Sequence, residues 1–262
     1  MPAAKKELPL IQPDEQKRMI HVHGWNGAGK TWMAAGSPGP VFYADVERGV
    51  YDTPQPKVRW DDVKDDLSVL KGHKDLVVVY PLETEKQLQG IVEMFLAGKW
   101  EGKQHPFETL TVDSLNMFQM KLKREVQNPG KAFDPDTKID WDGWNRLLNH
   151  MLMLVEDMRR VADPNHTRPA NVVLLTATDR DQLYARPMLE GNFRKRLPGI
   201  VDLHGFLRTH EVDGQANVPV LHLHSTDTVD AKCRLDGVAK KWPEGRIVRP
   251  TVPDILAAAN NQ

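Results

Sequence analysis

Eight consecutive residues carry the clearest chemistry in this chain. Gly24-Trp25-Asn26-Gly27-Ala28-Gly29-Lys30-Thr31 fits G-x-x-x-x-G-K-[ST] at every fixed position. Glycines at those places let backbone N–H groups turn inward on phosphate oxygens with no Cβ in the way. A helix expected to follow adds its positive dipole end to the same anion site. The Lys30 ammonium can reach β and γ phosphates, and the Thr31 hydroxyl can ligate magnesium. The implied cofactors are ATP and Mg2+, and no N-K-x-D guanine motif is visible. A cradle alone only binds; hydrolysis also needs a metal carboxylate and a group that activates water. Asp113 ends the apolar run TLTVDS and so stands at the strand end where phosphates would sit. It is read as a magnesium carboxylate, the alternative being a cap on the next helix. Asp45 and Glu47 in VFYADVERG are further carboxylates, either beside the γ phosphate or solvated in a turn.

These groups need a scaffold, and the apolar pattern supplies one. Short unbroken runs, MIHVH (19–23), VFYA (41–44), LVVVY (76–80), TLTV (109–112) and VVLLT (172–176), alternate with helix-like segments. The helical spacing is clearest over 83–97 and 144–161. Runs at 201–209, 218–224 and 247–248 predict later strands, and 252–259 a terminal helix. Buried Val/Leu runs between helices are the mark of a mainly parallel sheet covered on both faces. The expected class is thus α/β, with a polar tail over 1–17 and one domain over 18–262. The charged stretch 61–74 reads as a solvated linker or insertion, and 128–140, rich in turn formers, as a loop or lid.

Composition narrows the function classes. The chain has 262 residues, 40% hydrophobic and 27% charged, with a formal net charge of −1. That argues against whole-body attraction to nucleic acid while allowing a local basic patch. No apolar run approaches the roughly 18 residues that cross a bilayer, so no membrane partner is expected. No apolar signal core opens the sequence, which predicts a cytoplasmic location. The lone Cys233 excludes an intramolecular disulfide or a cysteine-pair zinc site. His21 with His23, and His222 with His224, alternate as on one strand face; with no cysteine or acid at ligand spacing, ordinary packing is the reading. Trp141 and Trp144 are read as helix anchors, stacking on a base being the alternative, and the methionines of 151–158 as core.

The order of motifs adds a resemblance. Cradle, strand ending in D-x-E-x-G, then strand ending in D-S resembles RecA-type ATPases. It is similar above all to small phage-encoded RecA-like nucleotide-binding proteins, among them phage single-strand annealing ATPases. The resemblance implies a RecA-like P-loop NTPase core in which Glu47 activates water and Asp113, followed by Ser114, serves the metal. With Lys30 they form the implied catalytic set. VVLLTATD (172–179) resembles the family's sensor strand; Thr176 and Thr178 stand where the phage group often has histidine, and Thr178 is the implied nucleotide contact. DAKCRLDG resembles a late Lys-x-Arg element, so Lys232 and Arg234 would reach a neighbouring subunit's nucleotide in a ring or filament.

In such proteins the loop after the sensor strand touches single-stranded DNA. Here that loop falls at about 179–199 and holds Arg180, Arg186, Arg194, Lys195 and Arg196, with Tyr184 and Phe193 among them. Cations suit a phosphate backbone and rings stack on unpaired bases, whereas a solvated or subunit-facing basic loop is the alternative. The implied function is an ATP- and Mg-dependent ATPase acting on single-stranded DNA in phage recombination or replication. A phage single-strand-binding protein is a candidate partner, and the location is then the host cytoplasm. Three alternatives stay open: a helicase-loader or motor ATPase acting on a protein, a kinase, and a nucleotide-binding module without catalysis. A kinase would carry an arginine-rich lid, and 128–140 has no arginine.

Overall fold

The computed structural model describes residues 16–127, 138–179 and 184–261. From the amino end, β1 (Met19–Gly24) leads through the glycine-rich turn into α1 (Lys30–Ala35) and β2 (Val41–Asp45). Next come β3 (Lys57–Arg59), the single-turn α2 (Trp60–Val63), β4 (Val77–Pro81) and α3 (Glu85–Ala97). A small hairpin, β5 (Lys99–Trp100) with β6 (Lys103–Gln104), precedes β7 (Thr109–Asp113), α4 (Leu115–Gln127) and α5 (Trp141–Val161). β8 (Asn171–Asp179), β9 (Arg186–Pro187) and α6 (Phe193–Ile200) lead to β10 (Leu203–Val212). The remainder is β11 (Gln215–His222), β12 (His224–Thr226), β13 (Val229–Cys233), α7 (Asp236–Lys241), β14 (Arg246–Val248) and α8 (Val252–Asn260).

Parallel strands run in the order β3-β4-β2-β7-β8-β1-β10, and the later strands β13, β12, β11 and β14 continue antiparallel beyond β10. Helices cover both faces, which is why β1, β2 and β7 are buried along their whole length. One core packs Phe42, Val112 and Leu174 against α3, α4 and α5 through Phe95, Leu122 and Met158. The other packs Ile20, Val22 and Leu175 against α1, α7 and α8 through Ala34, Val238 and Ile255. The fold is therefore the expected α/β class. Helix starts are set locally: Thr84 and Gln87 close a capping box on α3, and Asp140 caps α5. No helix among the described residues is long and apolar enough to cross a membrane.

Several expectations need correction. Stretch 61–74 is not a solvated linker, because Val63, Leu67 and Leu70 are buried with Trp60 in the first core. Their spacing of three and four residues is helical, and the charges between them hide it. Lys17, placed in the tail, is tied to Glu108 by a 2.8 Å ion pair. Segment 218–224 is not one strand: β11 ends at His222, and His224 pairs with β13 instead. Trp141 is 77% exposed and anchors nothing, although Trp144 packs on the core and lies under Lys123. Of the methionines, Met151 and Met158 are buried while Met153 is exposed. Most of the expected 128–140 lid lies outside the described residues.

Candidate functional site

The site forms where β1, β2 and β7 end at their carboxyl edge, the usual ligand side of an open α/β sheet. Each glycine of the turn answers a different demand. A Cβ on Gly24 would lie 2.3 Å from the Leu207 carbonyl oxygen, so β1 and β10 can approach only if it is absent. Gly27 and Gly29 have φ of +79° and +94°, the left-handed region glycine reaches without strain. Turn and helix are joined by Ala28 N–H to the Trp25 carbonyl at 3.2 Å and Met33 N–H to the Gly29 carbonyl at 3.0 Å. Because α1 spans only six residues, its dipole is small, and the loop N–H groups are the main donors for an anion there.

Lys30 and Thr31 open α1 and face the carboxylates. Lys30 Nζ donates to the carbonyls of Gly24 at 2.9 Å and Trp25 at 3.0 Å. Burial lowers its pKa, and the charges of Asp113 and Glu47 work against that. Thr31 Oγ1 donates to Asp113 Oδ2 at 2.8 Å, and the Tyr43 hydroxyl donates to the same oxygen at 2.6 Å. Asp113 is only 3% exposed; burial raises its pKa, and the two hydroxyl bonds partly offset the rise. Ser114 Oγ donates to Glu47, which stays exposed at the mouth. Asp45 is the register partner of Asp113 and is also 3% exposed. Its Oδ1 accepts the Arg48 N–H at 2.7 Å, while its buried Oδ2 has no partner among the described residues. Burial, then the charges of Asp113 and Glu47, push its carboxyl up to about 6 against the opposing pull of the Arg48 and Glu47 backbone N–H groups.

Beside the turn lies a cavity of about 740 Å³, bordered by Trp32, Thr209, Asn217, Pro219, Arg249 and Thr251. That is large enough for a nucleoside attached to phosphates in the cradle. The donor set at the strand ends, one hydroxyl and carboxylates, is of the hard-oxygen type that magnesium prefers. Among the described residues no three His, Cys, Asp or Glu side chains form a ready metal cage. This suits an ion held through one or two side chains, with phosphate and water completing its shell. The residues present fit Mg2+ in that form.

Other expected site residues fall elsewhere. Thr178 is buried, and its hydroxyl bonds His23 Nδ1 at 3.0 Å. Lys232 is exposed on β13, and Arg234, also exposed, donates to the Pro198 carbonyl at 3.3 Å. The expected 179–199 loop is broken by β9 and α6, so Arg186 is in a strand beside Asp179 while Arg194, Lys195 and Arg196 occupy the first turn of a helix. Lys195 and Arg196 are exposed, and Tyr184 is half-buried. Phe193 is 1% exposed in the core, so it cannot stack on a base; its place on the buried face of α6 overturns that expectation. Arg180 lies outside the described residues.

Two features escaped sequence reasoning. Tyr43 holds Asp113 from the neighbouring strand, and nothing in VFYAD distinguishes its hydroxyl from that of any core tyrosine. The histidine pair on β1 joins His204: His21 Nδ1 and His204 Nδ1 are 2.7 Å apart, and the three rings stack at 4.8–6.2 Å between centroids. His23 Nε2 meets the Asp230 carbonyl at 2.6 Å, and His21 Nε2 bonds Thr176 at 3.0 Å. Parallel register brings His21 and His204 together across β1 and β10, a pairing that spacing along one strand cannot reveal.

A family model described as an AAA domain matches residues 16–235. A search of curated proteins finds no match to the chain. The match runs from the start of β1 past β13 and takes in the phosphate cradle and the strand-end carboxylates together. The chain belongs to the AAA domain family of P-loop nucleoside triphosphatases.

Proposed function

We propose that this protein is an ATP- and magnesium-dependent ATPase that works on single-stranded DNA, in the manner of the RecA-like annealing or recombinase-type proteins of phages. The observation that carries the ATPase reading is the group formed by Lys30, Thr31, Asp113 and Glu47 around the cradle. Loop N–H groups and Lys30 hold the β and γ phosphates. Thr31 and Asp113 hold magnesium, which when bound neutralises charge on the phosphates. Glu47 accepts a hydrogen bond from the attacking water and orients it in line with the γ phosphorus. The base and ribose occupy the cavity between Trp32 and Arg249.

The DNA reading is supported by the cationic stretch of Arg186, Arg194, Lys195 and Arg196 with Tyr184 close in sequence, now without Phe193 as a stacking ring. Exposed Lys232 and Arg234 suit contact with a second copy of the chain in a ring or filament. The test is ATP hydrolysis with and without single-stranded DNA at low and moderate salt. A severalfold rise with DNA that weakens as salt increases is expected. A rate indifferent to DNA overturns the DNA reading and directs the search to a protein partner, as for a helicase loader or motor.

A further inference from the structure

Asp45 is a buried carboxylate that the mechanism above does not use. It ends β2 on the same face as Tyr43, two residues earlier, and opposite Asp113 in parallel register, so both acids stand on the sheet face that α1 covers. Its two oxygens are treated unequally. Arg48, whose φ of 62° turns the chain back, donates its N–H to Oδ1, whereas Oδ2 is buried and bonded to nothing among the described residues. Leaving a buried acceptor unmade is costly, and neighbouring Asp113 and Glu47 add repulsion. A fold without a use for that oxygen would more cheaply place an asparagine or an apolar residue there. Glu47 does not share this condition, being exposed and bonded by Ser114.

We propose that Asp45 is the outer carboxylate of the metal site, its free Oδ2 accepting a hydrogen bond from water carried by the divalent cation that Thr31 and Asp113 hold. Magnesium keeps several of its waters on binding, and such waters need acceptors beyond the direct ligands. Asp45 is thus a positioning residue, and the inference rests on the proposed nucleotide and metal site.

The test is calorimetric titration of the full chain with ADP, once with Mg2+ and once with EDTA, for wild type and for Asp45→Asn. In wild type, Mg2+ strengthens ADP binding. In Asp45→Asn that strengthening falls at least fivefold, while metal-free ADP affinity stays within twofold. Asp45→Ala checks the result with the carboxyl removed altogether, and thermal melts without ligand accompany both variants. An unchanged metal effect, equal losses with and without metal, or lower melting temperatures in both variants overturn the proposal. If wild type binds ADP no better with Mg2+, or not at all, it is the nucleotide and metal reading that fails.

Discussion

Two polar clusters sit on opposite faces of the same sheet and are built in opposite ways. Asp45, Glu47 and Asp113 gather at strand ends on the face covered by α1, with one buried oxygen unpaired among the described residues and a lysine near. His21, His23 and His204 gather within β1 and β10 on the other face, stacked and bonded to Thr176, Thr178 and the Asp230 carbonyl, with His204 Nε2 left 3.7 Å from the Asp230 carboxylate. Burial, and then mutual repulsion, drives His23 down to about 3 and His21 well below its ordinary value, so these rings stay neutral and act as packing. Burial pushes Asp45 up to about 6, and the site keeps carboxylates that the bare fold would rather neutralise. The histidine arrangement ties β1 to β8 and β10. The carboxylate arrangement sets like charges side by side, a repulsion that the proposed cation would relieve.

That contrast is open to experiment, and the largest effect belongs to the cradle. Lys30→Ala should cut ATP hydrolysis by at least about 100-fold with little change in melting temperature, since Nζ bonds only loop carbonyls. A smaller change in rate would remove Lys30 from the site. Gly24→Ala should act on the scaffold, destabilising the fold by roughly 1–3 kcal/mol in urea titration as the new Cβ meets Leu207. Gly27→Ala, where an added Cβ meets no atom within 4 Å, should cost less and act through backbone strain.

The pH dependence separates the two clusters by sign. The folded His23 pKa of about 3 lies below the ordinary 6.5, so its stabilising contribution is present above 6.5 and is lost as pH falls toward 3. The expected slope is about 1.4 kcal/mol per pH unit for each such histidine, read from melts between pH 4 and 7. Asp45 runs the other way: a folded value of about 6 against 3.8 means stability present below 3.8 and lost as pH rises through 6. Asp45→Asn should therefore stabilise the ligand-free chain by roughly 1 kcal/mol at pH 8 and by nothing below pH 4. A variant equally stable at both pH values would erase the distinction.

The sequence made the cradle legible because a phosphate loop is contiguous: Gly24 to Thr31 need no partner to be recognised. The parallel sheet was legible for a similar reason, since runs such as VVLLT can be buried only between two layers. What crossed strands was not. Tyr43 with Asp113, and His21 with His204, meet through register between segments far apart in the chain. Residues 61–74 misled because charge density outweighs four apolar side chains to the eye, although Trp60, Val63, Leu67 and Leu70 keep helical spacing. Phe193 misled in the reverse direction, as a ring among cations that turns to the core on the inner face of α6.

Glu47 is the proposed water-orienting group. The most direct measurement is phosphate release from ATP in Mg2+ by wild type and Glu47→Gln, with nucleotide affinity measured in parallel. Wild type should turn over only with metal, and the variant should bind ATP within threefold of wild type while hydrolysing it about 100-fold more slowly. A variant that hydrolyses at the wild-type rate, or a wild type whose rate ignores metal removal, would contradict it.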